Sequence, residues 1–335
     1  MENATRLDRR ALLGGLAAGL AAGSALASPS AARAAAGRAL RGVFPIAFTP
    51  ANPDGSIDFD GLASQVRFMR RGGVHGVAWP QIASGWTTLN EQDRITGAEA
   101  MVGAAKGGKT AIVIGVQSRE ADIAETIRYA THAEKIGADA VIGIPPPGVT
   151  APAELLAYYQ RIAQATSLPL FAQAVGPFSV DLLVQMTEAI PTFGYVKDET
   201  GDPLQRVTEM TRRTNGRLKS FSGFGVATMI TEMERGFTGH CPFVSLSDMY
   251  ASAFDLFHAG NRRAAYDQFG RIQAANSMMA QNNINILVAR GVLKPGVTMR
   301  IAQTAAGSNV AKMTATTPDE IRRVLDTYLR PHLRA

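Results

Sequence analysis

Phe193-Gly194-Tyr195-Val196-Lys197-Asp198-Glu199-Thr200-Gly201-Asp202 is the stretch on which the reading of this chain turns. A short apolar run ends in a lysine, and a Gly-Asp turn follows. An apolar run bounded by turn residues, without polar alternation, fits a strand buried on both faces of a parallel sheet. A lysine ending such a strand points into the mouth of the sheet. Desolvation at such a place favours a neutral amine, the form that attacks a carbonyl carbon. A solvated lysine after a surface strand is the alternative.

The same pattern repeats outward in both directions. Apolar strand-like runs are expected at 43–48, 74–79, 110–115, 138–144, 168–173, 194–197, 218–222 and 240–244. Helical periodicity follows each: 58–71, 91–105, 120–136, 153–165, 180–188, 204–213, 226–235 and 247–258. Eight strand-helix units spaced by roughly 22–36 residues are the count and period of a (β/α)8 barrel. Gly72-Gly73, Gly107-Gly108 and Gly137 fall where helices should end. A doubly wound open sheet would need a glycine-rich phosphate fingerprint, and Ser222-Gly223-Phe224-Gly225 is too short for one. Beyond residue 260, the segments 261–281, 284–293 and 318–329 read as helices with no strands between them. The expected architecture is therefore an α/β TIM barrel over 40–260 with a C-terminal helical appendage over 261–335, of a kind that often covers a barrel flank or mediates oligomer contacts.

The N-terminal 34 residues read as a separate signal segment. Asp8-Arg9-Arg10-Ala11-Leu12-Leu13 resembles a twin-arginine export signal, and an Ala/Gly/Leu stretch follows to about Ala27. Ala25-Leu26-Ala27 and Ala32-Arg33-Ala34 are candidate cleavage sites. The stretch is short and weakly apolar for a stable span, so processing and a periplasmic or extracellular location are expected, with no membrane span left in the processed protein. The segment carries +2 of the formal +6, leaving +4 for the rest. No Lys/Arg run with interleaved aromatics appears, so no nucleic-acid partner is expected. One cysteine, Cys241, excludes an intrachain disulfide, and five scattered histidines lack metal-ligand spacing. No metal site and no cofactor are expected.

Four motifs, in order along the chain, carry a family resemblance. They are Gly42-Val43-Phe44-Pro45-Ile46-Ala47-Phe48-Thr49-Pro50 with Asp54-Gly55-Ser56-Ile57-Asp58; Gly72-Gly73-Val74-His75-Gly76-Val77; Ala133-Glu134-Lys135-Ile136-Gly137-Ala138-Asp139-Ala140-Val141; and Val196-Lys197-Asp198-Glu199-Thr200-Gly201-Asp202. Together they resemble the dihydrodipicolinate synthase / N-acetylneuraminate lyase family across nearly all of the chain after the signal segment. The resemblance implies a (β/α)8 barrel, a homodimer or homotetramer, and a small-molecule carbonyl substrate such as a 2-keto acid. It also implies a strand-six lysine, Lys197 here, that forms a Schiff base with that substrate.

The chain departs from the family pattern around that lysine. Where the family has a relay tyrosine after strand five, Ala172-Gln173-Ala174-Val175-Gly176-Pro177 puts Gln173, which cannot serve as a general acid near neutral pH. The threonine pair after strand two becomes Ile82-Ala83 within Gln81-Ile82-Ala83-Ser84-Gly85. A Pro-Tyr-Tyr run becomes Pro145-Pro146-Pro147-Gly148, and the arginine common after strand five aligns near Phe178.

These departures point to a changed specificity, for a larger or more apolar substrate lined by Trp79, Trp86, Phe178 and Phe224; ordinary packing is the alternative for each. Glu199, on the same side of the strand as Lys197 by alternation, is a candidate acid/base; a solvated carboxylate or an ion pair with Lys197 is the alternative. Gln81, Ser84, Trp86, Gln117, Ser222 and Cys241 are the candidate substrate-binding residues, at barrel ends where active-site loops gather, with Ser118 and Ser245 beside them. Two functions remain open: a Schiff-base lyase (aldolase, dehydratase or hydratase-aldolase), or an exported family member that binds a small ligand without turnover.

Overall fold

The computed structural model describes residues 39–120, 122–223, 226–300 and 317–335. The expected export segment and Phe224 lie outside these residues. Among them, eight strands form one parallel sheet: β1 Gly42–Val43, β2 Gly76–Trp79, β3 Ala111–Gly115, β4 Ala140–Gly143, β5 Leu170–Ala174, β6 Phe193–Asp198, β7 Lys219–Ser222 and β8 Gly239–His240. From β2 to β8 each strand pairs with its sequence neighbour, and β1 pairs with β8. The remaining gap closes just past β1. Ile46 bridges Ala78 of β2 in parallel, Ala47 N donates to Ala78 O at 3.0 Å, and Ala78 N donates to Pro45 O at 3.0 Å. The sheet curls into the expected (β/α)8 barrel.

Helices alternate with the strands: α1 Phe59–Arg71, α2 Glu91–Ala105, α3 Ile123–Ile136, α4 Pro152–Ala165, α5 Val180–Ala189, α6 Pro203–Arg213, α7 Met229–Glu234 and α8 Ser247–His258. Side-chain caps start several of them: Asp58 accepts from Gly61 N, Asn90 from Asp93 N, and Ser179 from Leu182 N. Gly137 ends α3 at φ +86°, where a side chain would be strained. α7 starts later than periodicity predicts. Val226 sits at φ +52°, so the chain is still turning where a helix was expected.

Two apolar layers hold the barrel. Inside it, Phe44 meets Phe221 edge-on at 5.1 Å, Phe221 meets Phe171 at 5.3 Å, and Phe171 stacks on Tyr195 at 4.5 Å. Between strands and helices lies a larger core that includes Val77, Trp79, Val141, Leu170 and Val196.

The C-terminal helices α9 Arg262–Met278, α10 Asn283–Ala289 and α11 Pro318–Val324 follow. One expectation is corrected here. Thr298–Met299 pairs antiparallel with Pro50–Ala51, so a short strand pairing does occur within the appendage. Two residues are too few to show a period in sequence; the partner strand creates the pairing. No described helix is long and apolar enough to cross a membrane.

A buried ion pair ties this appendage to the barrel. Both oxygens of Asp248, at the start of α8, accept from the Arg290 guanidinium at 2.8 Å. Arg290 also lies over the Phe68 ring of α1, 4.6 Å from its centroid, and Asp248 accepts from Arg334 N at 2.8 Å. Removing one partner strands the other charge in the interior. Asp248→Ala is therefore expected to destabilise the protein by about 3–5 kcal/mol. Urea unfolding of the two proteins checks this, and a change below about 1 kcal/mol would mean water reaches the pair.

Candidate active site

Strand parity places the central residues. Along β6, Tyr195 packs inside the barrel, Val196 in the outer core, and Asp198 pairs outward with Arg206 at 2.9 Å. Lys197 therefore shares the inward face with Tyr195 and stands one layer above the aromatic plug. Glu199 continues the same parity just beyond the strand. β5 runs in register, with Gln173 beside Lys197. Burial raises the pKa of Asp198 above its ordinary value, against the pull of Arg206.

These residues form one cluster. Lys197 Nζ lies 3.0 Å from Glu199 Oε1, and Gln173 Nε2 donates to Glu199 Oε2 at 2.5 Å. Of the two sequence readings of Glu199, the ion pair with Lys197 is the one this contact matches. Lys197 is only 5% exposed, and Gln173 is fully buried with its Oε1 unpaired among protein groups. Gly223 presses on the carboxylate from β7's end. A Cβ there would fall 2.6 Å from Glu199 Oε1, so only glycine leaves the carboxylate where it is.

The cluster lies in a cavity of about 550 Å³ at the C-terminal end of the barrel. Cys241, the first residue after β8, also lines it. Burial pushes the Cys241 thiol up to about 12, against the pull of Lys197, which disfavours the thiolate.

The other candidate residues are placed elsewhere, each for a physical reason. Ser222 has the outward parity of β7 and donates to Glu232 Oε1 at 2.9 Å, where Thr228 also donates and His240 Nδ1 meets Oε2 at 2.9 Å. Burial alone would raise the Glu232 carboxyl, but these bonds, led by that of His240, hold it below its usual range. Ser84 Oγ donates to Ala47 O at 2.6 Å and accepts from Gln81 N. Gln81 and Gln117 both donate to Pro80 O, at 2.9 and 3.0 Å. The buried Arg94 binds the Gln117 and Gly115 carbonyls from α2, fixing the loop after β3. These side chains are spent on holding loops, and none of them lines the cavity. Ser118 is likewise buried and outside the lining.

The aromatic lining also differs from expectation. Trp79 points outward from β2, its Nε1 donating to Thr49 Oγ1 at 2.8 Å and its ring filling the space left by Gly97. Phe178 and Trp86 are buried in packing away from the cavity. The large apolar residues that do line it are Ile82 and Phe243, together with Ile46 and Leu246.

Sequence reasoning missed a whole wall. Gln273, Asn276, Ser277, Gln281 and Asn283 reach the cavity from α9, α10 and the turn between them. Ser245 Oγ donates to Asn283 Oδ1 at 2.5 Å and Asn276 Nδ2 to Tyr250 Oη at 3.2 Å, tying this wall to the barrel mouth. The amide run Gln281-Asn282-Asn283 was the visible signal, but nothing local says that it folds back over the barrel. Among the described residues, no group of three or more His, Cys, Asp or Glu side chains stands where a metal ion would be held.

Residues 39–304 match the model of the dihydrodipicolinate synthetase family. The 4-hydroxy-tetrahydrodipicolinate synthase of Rhizobium meliloti (strain 1021) is 28% identical over 190 residues, 55% of this chain and 63% of that protein. An uncharacterized DapA-like lyase of Thermococcus onnurineus (strain NA1) is 29% identical over 193 residues, with the same coverage of 55% and 63%. The matched region thus spans just under two thirds of these relatives. Among solved structures, dihydrodipicolinate synthase from Rhodopseudomonas palustris superposes with a TM-score of 0.68 at 22% identity, covering 82% of this chain and 95% of that one. N-acetylneuraminate lyase from Mycoplasma synoviae superposes with a TM-score of 0.72 at 17% identity, covering 87% and 98%. At such identities the superpositions establish the barrel fold and no more. The family match runs from just before β1 to beyond α10, and by it the chain belongs to the dihydrodipicolinate synthetase family.

Proposed function

We propose that this protein is a Schiff-base lyase that acts on a 2-keto acid or related carbonyl compound through Lys197. The observation that carries the reading is the contact of Lys197 Nζ with Glu199 Oε1 at 3.0 Å inside the barrel-mouth cavity. An amine must lose a proton before it attacks, and a carboxylate at hydrogen-bond distance can take it. The free amine adds to the substrate carbonyl, giving a carbinolamine. Glu199 returns the proton to the carbinolamine oxygen, water leaves, and a protonated imine remains. That imine withdraws electrons from the adjacent bond, so a proton or an aldehyde fragment can depart while the electron pair moves to nitrogen. Glu199 is again placed to take the proton released in that step. Gln173 acts as a positioning residue: its Nε2 hydrogen bond holds the carboxylate that the lysine uses. This reading replaces the family's tyrosine relay with a carboxylate relay.

Borohydride reduction in the presence of pyruvate, 2-oxobutyrate and aromatic keto acids tests the proposal. An irreversible mass increase on the peptide containing Lys197 is expected with at least one of them. Labelling at another lysine, or none across the panel, would favour ligand binding without turnover.

A further inference from the structure

Beyond the reacting carbon, the cavity has two chemically distinct walls. From the barrel loops come Ile82 and Phe243, which are 39% and 41% exposed and are two of the few large apolar side chains exposed among the described residues. Phe243 stacks on Phe48 at 5.6 Å, which fixes its ring. From the appendage come the side chains of Gln273, Asn276, Gln281 and Asn283, neutral groups with donors and acceptors.

The turn that delivers the second wall is strained. Ala280 and Gln281 lie at φ +48° and +52°, a left-handed pair that contains no glycine. Gln281 N donates to Asn276 O at 2.9 Å and Asn282 N to Met279 O at 2.9 Å, which hold the pair there. Strained non-glycine backbone persists where its surroundings require it, and it clusters at binding sites.

Charge completes the picture. Among the described lining residues, Lys197 and Glu199 are the only Lys, Arg, Asp or Glu side chains, and they face each other. A tail carboxylate or phosphate would lose its water and meet only neutral dipoles. A flat ring would instead cover Phe243 and Ile82, and a hydroxyl or amide at its edge would match the amide wall.

Resting on the Schiff-base reading above, we propose that the substrate's tail is uncharged, with a flat apolar face seated on Phe243 and Ile82 and neutral hydrogen-bonding groups at its edge. The C-terminal amides are then specificity-determining residues that discriminate partly by rejecting charge.

The test compares borohydride-trapped adducts formed with pyruvate, 4-hydroxyphenylpyruvate and 2-oxoglutarate, reading the concentration that gives half-maximal labelling. Relative to pyruvate, 4-hydroxyphenylpyruvate is expected to label at a concentration about tenfold lower and 2-oxoglutarate at one about tenfold higher, the scale of one well-matched or mismatched group. Gln281→Arg should narrow or invert the gap between the last two acids by about tenfold. Equal labelling by all three acids, better labelling by 2-oxoglutarate, or a gap that Gln281→Arg leaves unmoved would overturn the proposal. A second arm separates it from the imine. In Lys197→Ala protein, saturation-transfer NMR should detect 4-hydroxybenzyl alcohol and not 4-hydroxybenzoate. If no acid labels the wild-type protein, the Schiff-base reading fails; the NMR arm then decides the tail, and no preference for the alcohol sinks it.

Discussion

Lys197→Ala protein is expected to form no borohydride adduct with any keto acid and to lose turnover by on the order of 10⁴-fold or more, the scale seen when a covalent nucleophile is removed. The expectation follows from position. Lys197 is the lysine of the cavity, held one layer above the Phe171–Tyr195–Phe221 plug, and no other lysine lines that space among the described residues. The substitution also leaves Glu199 without its cation in a half-buried site. That cost is local, since Gln173 still donates to the carboxylate. Circular dichroism and intact mass before and after reduction separate a folded, unlabelled protein from an unfolded one. A folded variant that still labels on the same peptide, or that keeps more than a tenth of its turnover, would remove Lys197 from the chemistry.

Glu199→Gln is expected to cut turnover by about 10²–10⁴-fold, the usual contribution of a general acid–base group. Glutamine keeps the shape and can still meet Gln173 and Lys197, but it cannot accept and return a proton. Adduct formation at Lys197 should persist at long incubation, because the amine remains. The contrast with Gln173→Ala is the informative part. That change removes one hydrogen bond to a charged acceptor, worth about 1.5–3 kcal/mol, and should cost one to two orders of magnitude. Solvent-deuterium incorporation into the bound keto acid reads proton transfer directly, and it should fall with Glu199→Gln in step with turnover. Full turnover in Glu199→Gln would make the carboxylate a structural partner of Lys197. The proton would then have to pass through water or the substrate's own carboxylate.

The sequence by itself determined the barrel. Eight apolar runs without alternation, each followed by a helical period, leave few ways to bury every strand on both faces, and a closed parallel sheet ringed by helices is one of them. It also placed Lys197 and Glu199 on one face, because alternation along one strand is a local property that survives folding. Tertiary structure decided the rest of the site. Ser222 and Trp79 looked like active-site residues by their place at strand ends, yet each has the outward parity of its strand, and register with the neighbouring strands sets that parity. Gln81, Ser84 and Gln117 sit at the right end of the barrel, but Ser84 and Gln117 donate to the carbonyls of Ala47 and Pro80, which packing brings within reach, and Gln81 donates to its own neighbour Pro80. The amide wall is the clearest case. Gln273, Asn276, Gln281 and Asn283 lie more than 70 residues along the chain from Lys197, and no local pattern links them to it. The buried Asp248–Arg290 pair and the packing of α8 on α9 bring them over the barrel mouth. Periodicity is encoded by neighbours in sequence and can be read there; the composition of a cavity depends on which distant surfaces are pressed together, and that only the folded chain decides.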